Sequence, residues 1–218
     1  MPSNLAYVIM GGTFDPVHNG HISLAKALYR TFGQKVVFMP TAPPNYKQLP
    51  TTTANERLDM LKLAINDNPH FVIDSSEILQ QKYIPTIDSL KALRKKIGYD
   101  IPLYFLIGED SLVNLDTWDS WQMLFNLTNF IVAMRPGYSL DQMSEQLKAQ
   151  CTKRTIKDKS KLIQPFGQIY FLDFTPLNIS STNIRNNYHQ KLPTTGMVDP
   201  KVDQYIKDNK LYSSNQLC

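Results

Sequence analysis

Two histidines, His18 and His21, stand three residues apart inside Gly11-Gly12-Thr13-Phe14-Asp15-Pro16-Val17-His18-Asn19-Gly20-His21. An imidazole can donate a hydrogen bond or carry a positive charge, and this spacing puts both rings on one face if a helix has begun at Asn19. Gly11-Gly12 can bend the backbone, and Gly20 can let a ligand come close to it. Thr13 adds a hydroxyl. Together these groups suit an anion, a phosphate above all, with the two rings stabilising its charge. Competing readings are weaker: neither GxGxxG nor GxxxxGK[ST] occurs, and no Cys, His or Asp cluster nearby gives the histidines a third partner at metal-ligand spacing, so no protein metal site is expected.

Such a site needs a strand to deliver the turn and a helix to receive it. Ala6 to Met10 has the length and composition of a buried strand, and Pro16 cannot belong to its continuation. Ile22, Leu24, Ala25, Leu28 and Tyr29 then recur at helical spacing. The open N–H groups and positive dipole end of that helix favour a phosphate before any side chain is counted.

The rest of the chain supplies a parallel sheet around this junction. Residues 35–39 read as a second strand, making a strand, helix, strand crossover. The prolines Pro43, Pro44 and Pro50 make 41–53 an irregular loop beside the site, a natural lid. A helix is expected over 55–65, a strand over 71–74, and a helix over 86–97 with Thr86 as its N-cap. On that helix Lys91, Arg94, Lys95 and Lys96 read as a solvated face. Leu103 to Ile107 is unbroken and apolar, as a central strand buried on both faces requires. At its exit, Gly108-Glu109-Asp110-Ser111 either offers carboxylates to ribose hydroxyls or simply starts a helix. Trp118 and Trp121, within 112–124, read more readily as core than as ligand platforms. A strand over 129–134, a surface helix over 140–150 with Leu140, Met143 and Leu147 inward, a strand over 168–172 and helices over 182–188 and 199–210 complete the pattern. Ile179-Ser180-Ser181-Thr182 caps the first of those two helices, and its hydroxyls and N–H groups, with Arg185 one turn on, could grip phosphates. The fold class is α/β: a Rossmann-like, doubly wound, mainly parallel sheet with helices on both faces.

The stretch GGTFDPVHNGH resembles the signature of the nucleotidyltransferases that carry an HxGH motif, here His18-Asn19-Gly20-His21. Ile179-Ser180-Ser181-Thr182-Asn183-Ile184-Arg185 resembles their second signature, ISxTxxR. Within that superfamily the sequence is most similar to the bacterial nicotinate-nucleotide adenylyltransferases, from Tyr7 to Tyr212. The resemblance implies adenylyl transfer from ATP, carried with Mg2+, to nicotinic acid mononucleotide. It implies His18, His21 and Arg185 as catalytic residues, and Gly11, Gly12, Thr13, Phe14, Gly20, Lys47, Gly108, Asp110, Ile179, Ser180, Ser181 and Thr182 at the ATP. On the acceptor side it implies Thr86, Asp110, Trp118 as a stacking platform, the backbone N–H of Asp119, and Arg135. It also points to Arg57 beside the lid, where the residues alone allow a surface ion pair equally well. The chain departs from the family pattern in three places. Asn45 and Tyr46 precede Lys47 where a histidine usually stands, Pro85 replaces a tyrosine, and Asp119 replaces another. The last two fall at the pyridine end and leave the amide mononucleotide open as acceptor. Other readings are phosphopantetheine adenylyl transfer, cytidylyl transfer to a small alcohol phosphate, and a nucleotide sensor without turnover.

A chain of 218 residues, 42% hydrophobic, is large enough for one α/β core, so a single domain over 1–218 is expected. The net charge of +4 is mild, and the densest basic run, 153–161, reads as a solvated loop rather than a nucleic-acid surface. Few apolar residues precede Gly11 and no run reaches membrane length. Cys151 and Cys218 form no CxxC. These features predict a cytoplasmic protein with neither nucleic acid nor membrane as partner, and leave a homo-oligomer open.

Overall fold

The computed structural model describes residues 5–42, 52–80, 82–134 and 140–213. In chain order the elements are β1 (Tyr7–Gly12), α1 (Asn19–Phe32), β2 (Val36–Pro40), α2 (Ala54–Ile65), β3 (Phe71–Ile73), α3 (Thr86–Ile97), β4 (Leu103–Gly108), α4 (Glu109–Val113), α5 (Trp121–Leu124), β5 (Asn129–Ala133), α6 (Glu145–Arg154), β6 (Thr155–Ile156), β7 (Ile169–Leu172), α7 (Ser181–His189) and α8 (Pro200–Asp208). The strands follow the order β3-β2-β1-β4-β5-β7-β6. Pairings of β4 with β1 and with β5, and of β7 with β5 and with β6, are all parallel. This is the expected α/β class, and the order reverses between β1 and β4, the kind of switch point at which ligands bind in open parallel sheets.

By internal contacts the chain divides into two compact units. The first comprises Met1–Gly11, Phe32–Val37 and Ile84–Thr175; the second comprises Gly12–Thr31, Phe38–Tyr83 and Pro176–Cys218. The core of the first is β4, whose residues Leu103 to Ile107 are all buried, flanked by an equally buried β5. Unbroken apolar sequence is what a strand covered on both faces demands. The second unit packs Met60 and Leu61 of α2 and Val202 and Ile206 of α8 among its fully buried groups. Here α2 starts on a capping box: the Thr53 hydroxyl accepts from the Glu56 N–H at 3.3 Å, and the Thr53 N–H donates to Glu56 Oε2 at 2.7 Å. Among the described residues no helix is long and apolar enough to cross a membrane.

Several expectations are corrected. Thr86 is not the cap of α3; Pro85 occupies that position with no side-chain capping bond, because the chain enters the helix one residue earlier than the hydroxyl suggested. Arg94 is not on a solvated face. It is 1% exposed, enclosed by main-chain carbonyls. Arg57, equally buried, forms no surface ion pair. The helix expected over 140–150 splits into a short turn, Leu140–Gln142, and α6, which Ser144 caps and which runs on to Arg154. Cys151 therefore lies on the inner face of α6, where burial pushes its thiol up to about 11. The basic run 153–161 is no simple loop, since it contains the end of α6 and strand β6, and Arg154 lies 4.5 Å over the Phe125 ring. Trp118 and Trp121 are both half-buried rather than core.

Candidate functional site

The loop between β1 and α1, which leads into His18 and His21, takes its shape from an unusual backbone. Phe14 has φ of +51° in the left-handed region, which costs a bulky side chain roughly 1 kcal/mol and persists only where the surroundings enforce it. They do so on both sides. Arg57 Nη1 donates to the Thr13 carbonyl at 2.8 Å and to the Thr41 carbonyl at 2.9 Å. Arg185 Nη1 donates to the Asp15 carbonyl at 2.7 Å, and Ser181 Oγ to the Pro16 carbonyl at 2.9 Å. The Phe14 ring, thus placed, meets the His21 ring edge-on at 5.0 Å and packs against Phe38 at 5.6 Å. Burial lowers the Arg57 pKa while the nearby Asp15 charge raises it; the guanidinium remains a cation.

The two histidines stack, ring centroids 3.7 Å apart and planes 28° from parallel. His18 is 7% exposed, whereas His21 is half-buried. The His18 N–H donates to His21 Nδ1 at 3.2 Å, so that nitrogen keeps its lone pair. The neutral ring then carries its proton on Nε2, a ready donor. Gly20 is required by space: a Cβ there would lie 2.9 Å from Cε1 and Nδ1 of His18 and 3.7 Å from the Ile179 carbonyl. The first helical residue, Asn19, donates its N–H to the Met197 carbonyl at 2.8 Å and its side-chain amide to the Gly196 carbonyl at 2.9 Å. Around the pair, α1 and α7 present their positive ends, with Ser180 Oγ accepting from the Asn183 N–H at 3.1 Å.

Of the residues singled out from the sequence, Gly12, Thr13, Phe14, His18, Gly20, His21, Ile179, Ser180, Ser181, Thr182 and Arg185 fall in one compact unit. Arg185 fastens the loop through the Asp15 carbonyl and also reaches Thr182 Oγ1, on its own helix, at 3.3 Å. Gly11, Thr86, Gly108, Asp110, Trp118 and Asp119 fall in the other unit. There Gly108 ends β4, Asp110 stands in the first turn of α4, and a Cβ on Gly11 would press on the Phe105 ring at 3.3 Å. Trp118 is half-buried between a short turn and α5, Asp119 is exposed, and Thr86 is the first residue of α3. Lys47 and Arg135 lie outside the described residues. Sequence reasoning missed Thr52 and Tyr212, which donate to the same Asp15 carboxylate oxygen at 2.6 and 2.7 Å. No local signal could have joined them to the loop.

Comparison with known proteins agrees with this geometry. Residues 9–187 match the model of the cytidylyltransferase-like family. A protein of Buchnera aphidicola described as a probable nicotinate-nucleotide adenylyltransferase is 38% identical over 208 residues, 94% of this chain and 95% of its own. One of the same description from Yersinia pestis is also 38% identical over 208 residues, covering 94% of each chain. A solved nicotinic acid mononucleotide adenylyltransferase of Plasmodium falciparum, complexed with NaAD, shares the fold with a TM-score of 0.71 at 20% identity, over 95% of this chain and 97% of that one. The signature loop, the strand order and the full-length similarity converge: the chain belongs to the cytidylyltransferase-like family and, within it, to the nicotinate-nucleotide adenylyltransferases.

Proposed function

We propose that the protein transfers the adenylyl group of ATP to nicotinic acid mononucleotide, producing nicotinic acid adenine dinucleotide and pyrophosphate for NAD biosynthesis in the cytoplasm. The observation that carries this reading is the stacked His18–His21 pair on a loop whose carbonyls are tied down by Arg57, Ser181 and Arg185. In the reaction a 5′-phosphate oxygen of the mononucleotide forms a bond to the α-phosphorus of ATP while the bond to pyrophosphate breaks. No protein nucleophile is needed, so catalysis consists of positioning and charge stabilisation. His21 Nε2–H and the His18 ring serve the α-phosphate and the bridging oxygen. Gly11, Gly12, Thr13, Phe14 and the positive dipole end of α1 serve the same phosphates. Ile179, Ser180, Ser181, Thr182 and Arg185 serve the departing pyrophosphate, and Lys47 is assigned to the same group. Gly108 and Asp110 hold ribose; Thr86, Trp118, the Asp119 N–H and Arg135 hold the acceptor.

Among the described residues no three His, Cys, Asp or Glu side chains gather at a metal-binding spacing. In this reading Mg2+ would arrive on the triphosphate with few protein ligands and would supply charge neutralisation there. The whole chain acts as a single catalytic domain in this reading.

The test is pyrophosphate release with ATP, Mg2+ and a panel of acceptors: nicotinic acid mononucleotide, its amide, phosphopantetheine and a small alcohol phosphate. Turnover is expected with the first. Turnover confined to either of the last two, or none with any acceptor, overturns the proposal. Alanine at His18 or at His21 is expected to cost about a hundredfold in kcat with the fold intact, the usual loss of a donor aimed at the transition state.

A further inference from the structure

The family model ends at residue 187, yet three of the ties on the signature loop come from beyond it. Two are the Gly196 and Met197 carbonyls that receive Asn19. The third is Tyr212, whose hydroxyl donates to Asp15 Oδ1 across 197 residues of sequence. Asp15 is 4% exposed and Tyr212 5%, so this phenol-to-carboxylate bond is shielded from water and charge-assisted. Burial and the Asp15 charge both push the Tyr212 hydroxyl upward, which keeps it a donor. Asp15 is consequently fixed twice, by its side chain to Tyr212 and Thr52 and by its carbonyl to Arg185. It stands next to strained Phe14, whose ring abuts His21.

We propose that Tyr212 is a positioning residue for the phosphate loop: through Asp15 it holds Phe14 in its left-handed conformation and so sets the His21 and His18 rings. The inference rests on the adenylyl-transfer reading for its kinetic consequence, and on geometry alone for its effect on the rings. The hydroxyl, which also lies 3.9 Å from the weakly accepting Met60 Sδ, is separable from the ring, whose centroid lies 6.0 Å from that of Tyr188. Tyr212→Phe therefore removes the tie and keeps the packing.

Two readouts test it. Steady-state kinetics with ATP and nicotinic acid mononucleotide should show kcat down about tenfold and the acceptor KM within about twofold, as for a misplaced group that does not touch substrate. Imidazole NMR of the four histidines should show the His18 and His21 signals displaced and those of His70 and His189 unmoved. In an Asp15→Asn background the same substitution should add less than about twofold, since the pair acts as a unit. Thr128→Val is the control; it removes a fully buried hydroxyl that donates to the Leu103 carbonyl at 3.1 Å in the other unit, and should lower the melting temperature with kcat unchanged. Wild-type kcat with unmoved His18 and His21 signals in Tyr212→Phe overturns the proposal, as does an equal kcat loss in both backgrounds. A wild-type protein without turnover would instead sink the assigned reaction, leaving the NMR arm to decide Tyr212.

Discussion

Two buried arginines, one in each compact unit, perform different jobs with the same chemical group. Both are 1% exposed. Arg94 donates from every nitrogen: Nε to the Leu127 carbonyl at 2.7 Å, Nη1 to Gly98 at 2.9 Å and Ile101 at 2.7 Å, and Nη2 to Pro165 at 2.8 Å. The rings of Tyr99 and Phe166 lie 5.7 Å from its carbon. Arg57 spends Nη1 on Thr13 and Thr41, while its Nε is buried with no hydrogen-bond partner among the described residues. A cation saturated by carbonyl dipoles joins loop ends into scaffold. One less fully engaged, beside the Asp15 charge, holds a strained loop in register for chemistry.

The contrast can be broken experimentally, and the largest effect belongs to Arg94. Arg94→Met leaves the buried Leu127 and half-buried Ile101 carbonyls without this donor, at about 1–3 kcal/mol for each unsatisfied buried group, while the Pro165 carbonyl keeps the Leu103 N–H and exposed Gly98 can turn to water. Two such groups are a large share of a domain's stability, so a melting temperature lower by roughly ten degrees is expected, with kcat per folded molecule unchanged. Calorimetry with active-site titration checks this; an unaltered melting temperature with collapsed kcat would reverse the assignment of roles. Arg57→Met should do the opposite, lowering kcat by about a hundredfold through a displaced loop while shifting the melting temperature by only a few degrees. Gly20→Ala sharpens the picture at the other end of the loop. Its Cβ must push the His18 ring, and kcat should drop about tenfold with normal thermal stability; unchanged kinetics would mean that the ring's position is immaterial.

These arginines also mark the limit of what periodicity reveals. Strands β1, β4 and β5 and helices α1, α2 and α3 were legible because their apolar residues recur at the spacing that burial dictates. His18, Gly20 and His21 were legible because three demanding residue types crowd one turn. Arg94, and the surface ion pair open to Arg57, were misread because helical spacing registers charge but not carbonyls drawn from loops far along the chain, although Arg57 does bond Thr41 at the start of the expected lid. Thr86 looked like a cap because its hydroxyl suits one, yet the turn of the chain put Pro85 there. Strand β6 has two residues, too few for any pattern, and α6 runs past its expected end at residue 150 to Arg154, directly before it. The Thr52 and Tyr212 ties to Asp15 depend on side chains meeting across 37 and 197 residues, which composition and spacing do not encode.

The reach of the Tyr212 contact has a consequence for biosynthesis. Asp15 leaves the ribosome long before the phenol that secures it, and contacts of such separation form late because the intervening chain must first be closed into a loop. A nascent polypeptide stalled near residue 200 would already display both imidazoles but lack one fastener of their support.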